Sequence, residues 1–187
     1  ATMPFTADET KLKMLLKELD GFPSIYYVGG EPFAYNKPRL LEPGLSEDCV
    51  EVINEASRRI KRVYIDTNAF YLPQGEEDMR RFIMRLPQNV IITVSIDSAH
   101  EEEMKKKGRD LPELVKVIER FAIACGRDVE YNIRLSACFV ELGQELKNIL
   151  WRYGLQEAYK QNKKRFHVNR LIAQGGAAMP PAGKNVY

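Results

Sequence analysis

Short apolar runs of strand character alternate along this chain with stretches whose apolar residues recur at helical spacing, and that rhythm restricts its fold more than any other feature. Thr6 and Glu9 make a capping box, in which hydroxyl and carboxylate meet orphan backbone N–H groups. Leu12, Leu15, Leu16 and Leu19 then follow at helical spacing up to Gly21. The run SIYYV (24–28) reads as a buried strand. After a long loop, Ser46 can cap a second helix with Cys49, Val50, Ile53, Ala56 and Ile60 on its apolar side. RVYID (62–66) is the next strand, and Met79, Phe82, Ile83 and Leu86 mark the next helix. NVIITVSID (89–97) is apolar on both faces, as parallel strands covered by helices are, and should be central.

The charged run HEEEMKKKGRD (100–110) reads as a solvated loop. Asp110 and Glu113 then form a second capping box for a helix with Leu111, Leu114, Val115, Ile118, Phe121, Ala122 and Cys125 along one side, stopped by Gly126. VEYNIRLSA (129–137) alternates Val129, Tyr131, Ile133 and Leu135 with Asn132, Arg134 and Ser136, so one face looks into something polar, which in a barrel is the lumen. Phe139, Leu142, Leu146, Ile149, Leu150 and Tyr153 mark a helix ending at Gly154, and RFHVNRLI (165–172) is the last strand before a Gly/Pro-rich tail. Strand and helix in alternation predict a parallel α/β sheet, open or curled into a barrel.

The function classes narrow next. A net charge of +2, from 28 basic and 26 acidic residues spread along 187, gives no field that suggests a nucleic acid or a membrane surface as partner. No apolar run reaches the length of a membrane span and the start ATMPFTADET has no signal-peptide core, so the chain reads as cytoplasmic. Three cysteines, an odd number and widely scattered, argue against a disulfide framework. His100 and His167 have no visible partners for a zinc site or a catalytic triad, so no metal ligand and no catalytic residue is assigned. Parallel α/β folds bind ligands at the carboxyl ends of their strands. Four such ends carry polar or glycine signatures: GGEP (29–32), DTNA (66–69), SIDS (95–98) and RLSA (134–137).

In that order, YVGGEPF, YIDTNAF, TVSID, YNIRLSA and HVNRLI resemble the radical S-adenosylmethionine (SAM) superfamily across about residues 6–172. The resemblance implies a partial parallel (β/α) barrel, a partial TIM barrel, over 1–174, with 175–187 as a tail or the start of a further segment. It implies SAM and a [4Fe–4S] cluster as cofactors, and an iron–sulfur oxidoreductase chemistry in which a 5′-deoxyadenosyl radical abstracts hydrogen from an unidentified substrate, with a peptide or protein as candidate. A flavodoxin or ferredoxin would be the electron donor. Carried over residue by residue, Gly29, Gly30, Glu31 and Pro32 hold the SAM amino group. Glycines there let backbone carbonyls approach an ammonium, and Glu31 supplies the opposite charge. Thr67 and Asn68 match the family's TN pair, although Ala69 stands where glycine is usual. Ser95 and Asp97 suit the ribose hydroxyls, Arg134 the SAM carboxylate, and Ser136 and Asn169 the adenine and ribose side. For Thr67, Asn68, Ser136 and Asn169, ordinary capping and turn formation is the competing reading, and for Arg134 it is neutralisation of Asp66 or Asp97.

The departure is in the cysteines. The family places C-x-x-x-C-x-x-C after its first strand, whereas Cys49, Cys125 and Cys138 are far apart and two of them read as buried structural thiols. The chain opens at what would be the first helix, so the expectation is a part of a longer enzyme whose first strand and cluster loop lie elsewhere. Two alternatives stay open: a non-catalytic barrel that only binds SAM, and a phosphate-binding α/β barrel, which Glu31 disfavours because a carboxylate repels anions.

Overall fold

The structure, a computed structural model, describes residues 20–27, 31–34, 47–136 and 141–170, with positions 14, 17 and 18. Five strands, β1 (Ile25–Tyr27), β2 (Val63–Thr67), β3 (Val90–Ile96), β4 (Val129–Leu135) and β5 (Phe166–Arg170), pair in parallel in the order of the sequence. The connecting helices are α1 (Glu47–Arg59), α2 (Glu76–Arg85), α3 (Ser98–Lys106), α4 (Leu111–Ala124), α5 (Leu142–Arg152) and α6 (Gln156–Gln161). Parallel strands joined by right-handed crossovers put their helices on one face of the sheet. That face is the core: Val63 and Ile65, Val90 to Ile96 in alternation, and Val129, Tyr131, Ile133 and Leu135 pack with Ile53, Phe82, Ile83, Leu114 and Ile118 from the helices. The result is a five-stranded α/β partial barrel with β3, all seven residues buried, at its centre, as the sequence predicts.

Period two then puts every second strand residue on the inner face, and the parallel register stacks them in layers. Tyr26 pairs with Tyr64, ring on ring at 4.3 Å. Above them Asp66, Thr93 and Glu130 lie side by side, then Ser95, Asn132 and His167, then Arg134 and Asn169. The half-exposed alternation of β4, expected to line a lumen, is therefore one strip of a polar inner face.

A buried polar network fastens the helix layer to the sheet. Arg165 grips Glu119 of α4 with two guanidinium nitrogens, at 2.9 and 2.6 Å, and donates from Nε to the Val129 carbonyl at 2.7 Å. Tyr131, fully buried, donates to the same Glu119 carboxylate at 2.6 Å.

Two sequence expectations are corrected. Residues 100–110 are not a solvated loop, because 98–106 form helix α3. Glu and Lys are strong helix formers, Asp97 caps the first turn by accepting from the His100 N–H at 2.9 Å, and Lys107 pairs with Glu103 one turn back at 2.9 Å. Only Met104 is buried, so apolar periodicity is silent there. Helix α6 was also not anticipated; it follows Gly154 and buries little beyond Leu155 and Ala158. The stops at Gly126 and Gly154 hold, with φ of 62° and 67° that suit glycine at a helix end. The expected first helix, the Ser46 cap, Phe139 and the tail from 171 lie outside the described residues or side chains.

Candidate functional site

The carboxyl ends of β1 and β2 meet at the carboxylate of Glu31. Its Oε1 accepts from the Thr67 hydroxyl at 2.7 Å and from the Phe33 N–H at 3.3 Å, and its Oε2 accepts from the Asn68 N–H at 2.9 Å. Glu31 thus latches the loop after β1 to the end of β2. Burial pushes its carboxyl above the usual range, against the pull of these three hydrogen bonds. A carboxylate has about four lone-pair sites, and residues among those described occupy three of them.

The loop it latches is tightly specified. The Thr67 side chain, 2 % exposed, also accepts from the Ala69 N–H at 2.9 Å, and Asn68 Oδ1 accepts from the Phe70 N–H at 2.9 Å in an Asx turn. Ala69 sits at φ 65°, so the turn keeps the left-handed conformation that glycine favours although the residue is alanine. Arg109, buried, donates to the Leu72 carbonyl at 2.5 Å and lies over the Phe70 ring at 5.2 Å, closing the loop from the helix side. Ala69 is fully buried as well, so Ala69→Val combines a left-handed β-branched residue with overpacking. It is expected to lower stability by about 2–4 kcal/mol in a denaturant titration, and a loss under ~1 kcal/mol would mean the turn can flip.

A second cluster stands at the end of β3. The Asp97 side chain is only 4 % exposed and faces two basic groups: His100 Nδ1 lies 2.8 Å from Oδ2, and Arg134 Nη1 lies 3.5 Å from the same oxygen. Arg134 therefore neutralises Asp97, the competing reading of its sequence position. Burial works against the Asp97 charge, but His100 and Arg134 outweigh it and hold the carboxyl below its ordinary 3.8. The hydrogen-bonding pull of Asp97 raises His100 above its ordinary 6.5. The two shifts fix the sign of the pH effect. The depressed acid contributes stability above pH 3.8, lost as pH falls through its folded value; the raised base contributes below pH 6.5, lost as pH rises through its folded value. Asp97→Asn should therefore cost most stability between those limits, and a loss that is flat from pH 3 to pH 9 would contradict the pair.

The remaining candidates are spread around the mouth. Pro32 opens a 3-10 turn, Pro32–Ala34, directly after Glu31. Ser95 is buried on the inner face. Ser136 gives both its N–H, at 3.0 Å, and its hydroxyl, at 2.9 Å, to Glu145 on α5, and Asn169 donates to Asn132 at 3.3 Å. Gly29 and Gly30 lie outside the described residues. The structure brings Glu31, Thr67 and Asn68 together and, as a separate group, Asp97 with Arg134, while Ser136 is held by Glu145 and Asn169 by Asn132. Sequence reasoning missed His100, the ring pair Phe70 and Tyr71 (5.0 Å, edge to face), and the inner-face pair His167 with Glu130 at 2.8 Å. Glu31, Asn68, Phe70, Tyr71, His100 and Met104 line a cavity of about 250 Å³, with Glu103 and Lys107 also on its wall. Asp97 as a helix cap was the one available signal for His100, three residues on.

No family model matches the chain, and no curated protein matches it. Among solved structures it is similar to SuiB from Streptococcus suis, at 16% identity with a TM-score of 0.56 over 97% of this chain and 37% of that one. It is also similar to SuiB bound to S-adenosylmethionine (13%, TM-score 0.50, 91% of this chain and 43% of that one) and to SuiB bound to precursor peptide SuiA (12%, 0.50, 89% and 42%). The chain spans less than half the length of these proteins. The likeness shows the fold, a partial α/β barrel similar to part of SuiB. No helix among the described residues is long and apolar enough to cross a membrane.

Proposed function

We propose that this chain is the SAM-binding core of a radical SAM enzyme that acts on a peptide. The observation that carries the reading is the half-buried Glu31 carboxylate at the mouth of the barrel, held in place by Thr67 and Asn68, whose negative charge an ammonium would balance. A SuiB structure of the same fold holds SAM and another holds a precursor peptide, which supports both halves of the proposal. The polar inner face below the mouth, with Asp66, Glu130, Asn132 and His167, offers a peptide side chain hydrogen-bonding partners.

SAM fits these residues; a [4Fe–4S] cluster does not fit the described ones. Among them no three His, Cys, Asp or Glu side chains come together as metal ligands. Cys125, the free thiol among them, caps the far end of α4, which runs back from the mouth. Cys49 and Cys138 lie outside the described side chains. The work assigned to this chain's own residues is therefore to bind SAM, orient it by its amino-acid end and shield it from water. The test is calorimetric titration with SAM and, separately, with phosphate esters. Saturable SAM binding, retained in Cys49→Ser, Cys125→Ser and Cys138→Ser, is the expected result; phosphate-ester binding with no response to SAM would replace this reading with the phosphate-binding barrel.

A further inference from the structure

A cavity of about 500 Å³ opens at the end of the sheet opposite the mouth, between the last turns of α2 and α4, where the chain turns into β3 and β4. That volume lies within the roughly 300–1,000 Å³ of small-molecule sites. Arg80, Met84 and Gln88 line it from the α2 side, and Phe121, Cys125 and Arg127 from the α4 side. Met84 is 59 % exposed, so water meets apolar surface there, and among the described residues no aspartate or glutamate lines the cavity. Both guanidinium groups are fixed. Arg80 holds Glu77 with Nε and Nη2, at 3.0 and 2.8 Å, and its Nη1 reaches the Met84 sulfur at 3.5 Å. Arg127 reaches back to the end of α2, donating from Nη1 to the Pro87 carbonyl at 2.8 Å and from Nη2 to the Leu86 carbonyl. Glu77 balances Arg80, whereas Arg127 meets carbonyls and no carboxylate among the described residues. Burial accordingly pushes Arg127 below its ordinary range, with Cys125 drawing it back. Helix carbonyl ends repel anions, but those here are taken: Leu86 and Pro87 by the Arg127 side chain, and Ile123 and Ala122 by the N–H groups of Gly126 and Arg127, at 3.1 and 2.8 Å.

We propose that this cavity binds a small organic anion, a carboxylate or sulfonate carried on an aromatic or alkyl body, with the anionic group on Arg127 and Arg80 and the body against Phe121 and Met84. A partly buried cation without a counter-charge gains most from an anion, and guanidinium groups already fixed by their neighbours need little further ordering to meet one. A bare inorganic anion would leave the surface of Phe121 and Met84 wet, so the body contributes as well as the charge. The cavity shares no residue with the cavity at the mouth, and the proposal does not rest on the proposed function.

The test uses 1-anilinonaphthalene-8-sulfonate and N-phenyl-1-naphthylamine, which share an aromatic body and differ in the sulfonate. Fluorescence titration of wild type is expected to show saturable binding of the sulfonate and weaker binding of the uncharged amine. Arg127→Met should weaken the sulfonate by about 10- to 100-fold, the loss of one charge-assisted contact, and leave the amine unchanged. Equal affinities for the two compounds, or a sulfonate affinity untouched by Arg127→Met, overturn the proposal. Because Arg127 also holds the end of α2, Arg80→Met serves as a second variant that leaves those carbonyls alone, and it should weaken the sulfonate as well. Location is read separately. With Cys49→Ser and Cys138→Ser in place, Cys125 is the single thiol, and saturating sulfonate should slow its alkylation by iodoacetamide severalfold. Sulfonate that binds and leaves the Cys125 rate unchanged sits elsewhere on the chain, which overturns the proposal too.

Discussion

Replacing Glu119 with alanine is expected to remove about 3–5 kcal/mol of stability, a loss large enough to leave much of a marginally stable domain unfolded. The Arg165 guanidinium is mostly buried, its side chain 15 % exposed, and two of its nitrogens meet the Glu119 carboxylate while the third holds the Val129 carbonyl. Burial works against that charge, yet the Glu119 carboxylate more than offsets it and raises Arg165 above its ordinary range. Burial, with the Glu119 charge, also pushes the Tyr131 hydroxyl far up, so it remains a neutral donor to Glu119. With the carboxylate gone, a buried cation and a buried hydroxyl lose their partner together. The triple change Glu119→Leu, Tyr131→Phe, Arg165→Met removes the polar groups as a set and should cost far less than Glu119→Ala alone. Urea unfolding of the two proteins checks this: a Glu119→Ala midpoint at or above that of the triple variant would show that the network contributes little. Because α4, β4 and the turn before β5 all meet at this network, its loss should broaden the unfolding transition of the β4–β5 half of the sheet first.

The second large effect concerns ligand affinity. Glu31→Gln is expected to weaken SAM binding on the order of 100-fold, the scale of losing one partner of a buried charge pair, and to lower stability by about 1–3 kcal/mol, the cost of a donor left unpaired. Glutamine keeps the length and shape of the side chain, and its amide oxygen can still accept from Thr67 and Phe33, which both use Oε1. Its NH₂ would then face the Asn68 N–H, donor against donor, where Oε2 now accepts at 2.9 Å. The negative charge that would meet an ammonium disappears. Calorimetry gives the affinity, and parallel measurements on the three cysteine variants give the control: an Glu31→Gln affinity equal to wild type, or Cys49→Ser losing as much, would mean that the mouth of the barrel does not bind SAM through this carboxylate.

Much of this was legible before the fold was known. Strand spacing, the alternation of β4 and the doubly apolar β3 sufficed for a parallel sheet with one polar face, because side-chain period and burial are local properties of each strand. Glu31, Thr67 and Asn68 were legible as a group through their motifs. What they do to one another was not, since a contact across 36 residues between Thr67 and Glu31 exists only when two strand ends are neighbours. The run 100–110 was misread for a related reason: a charged helix with one buried residue, Met104, has no periodic signal, and its cap, Asp97, had been reserved for a ligand.

By itself, then, the sequence determined the order and direction of the strands and the residue types at their carboxyl ends, because backbone propensity and apolar period act within a few residues. Tertiary structure alone decided which of those residues meet. It tied Arg134 to Asp97, turned His100 toward a cavity shared with Glu31, and placed Ala69 in a glycine-like turn. Charge pairing and cavity shape depend on distances between elements remote in the chain, and the packing of helices against the sheet sets those distances.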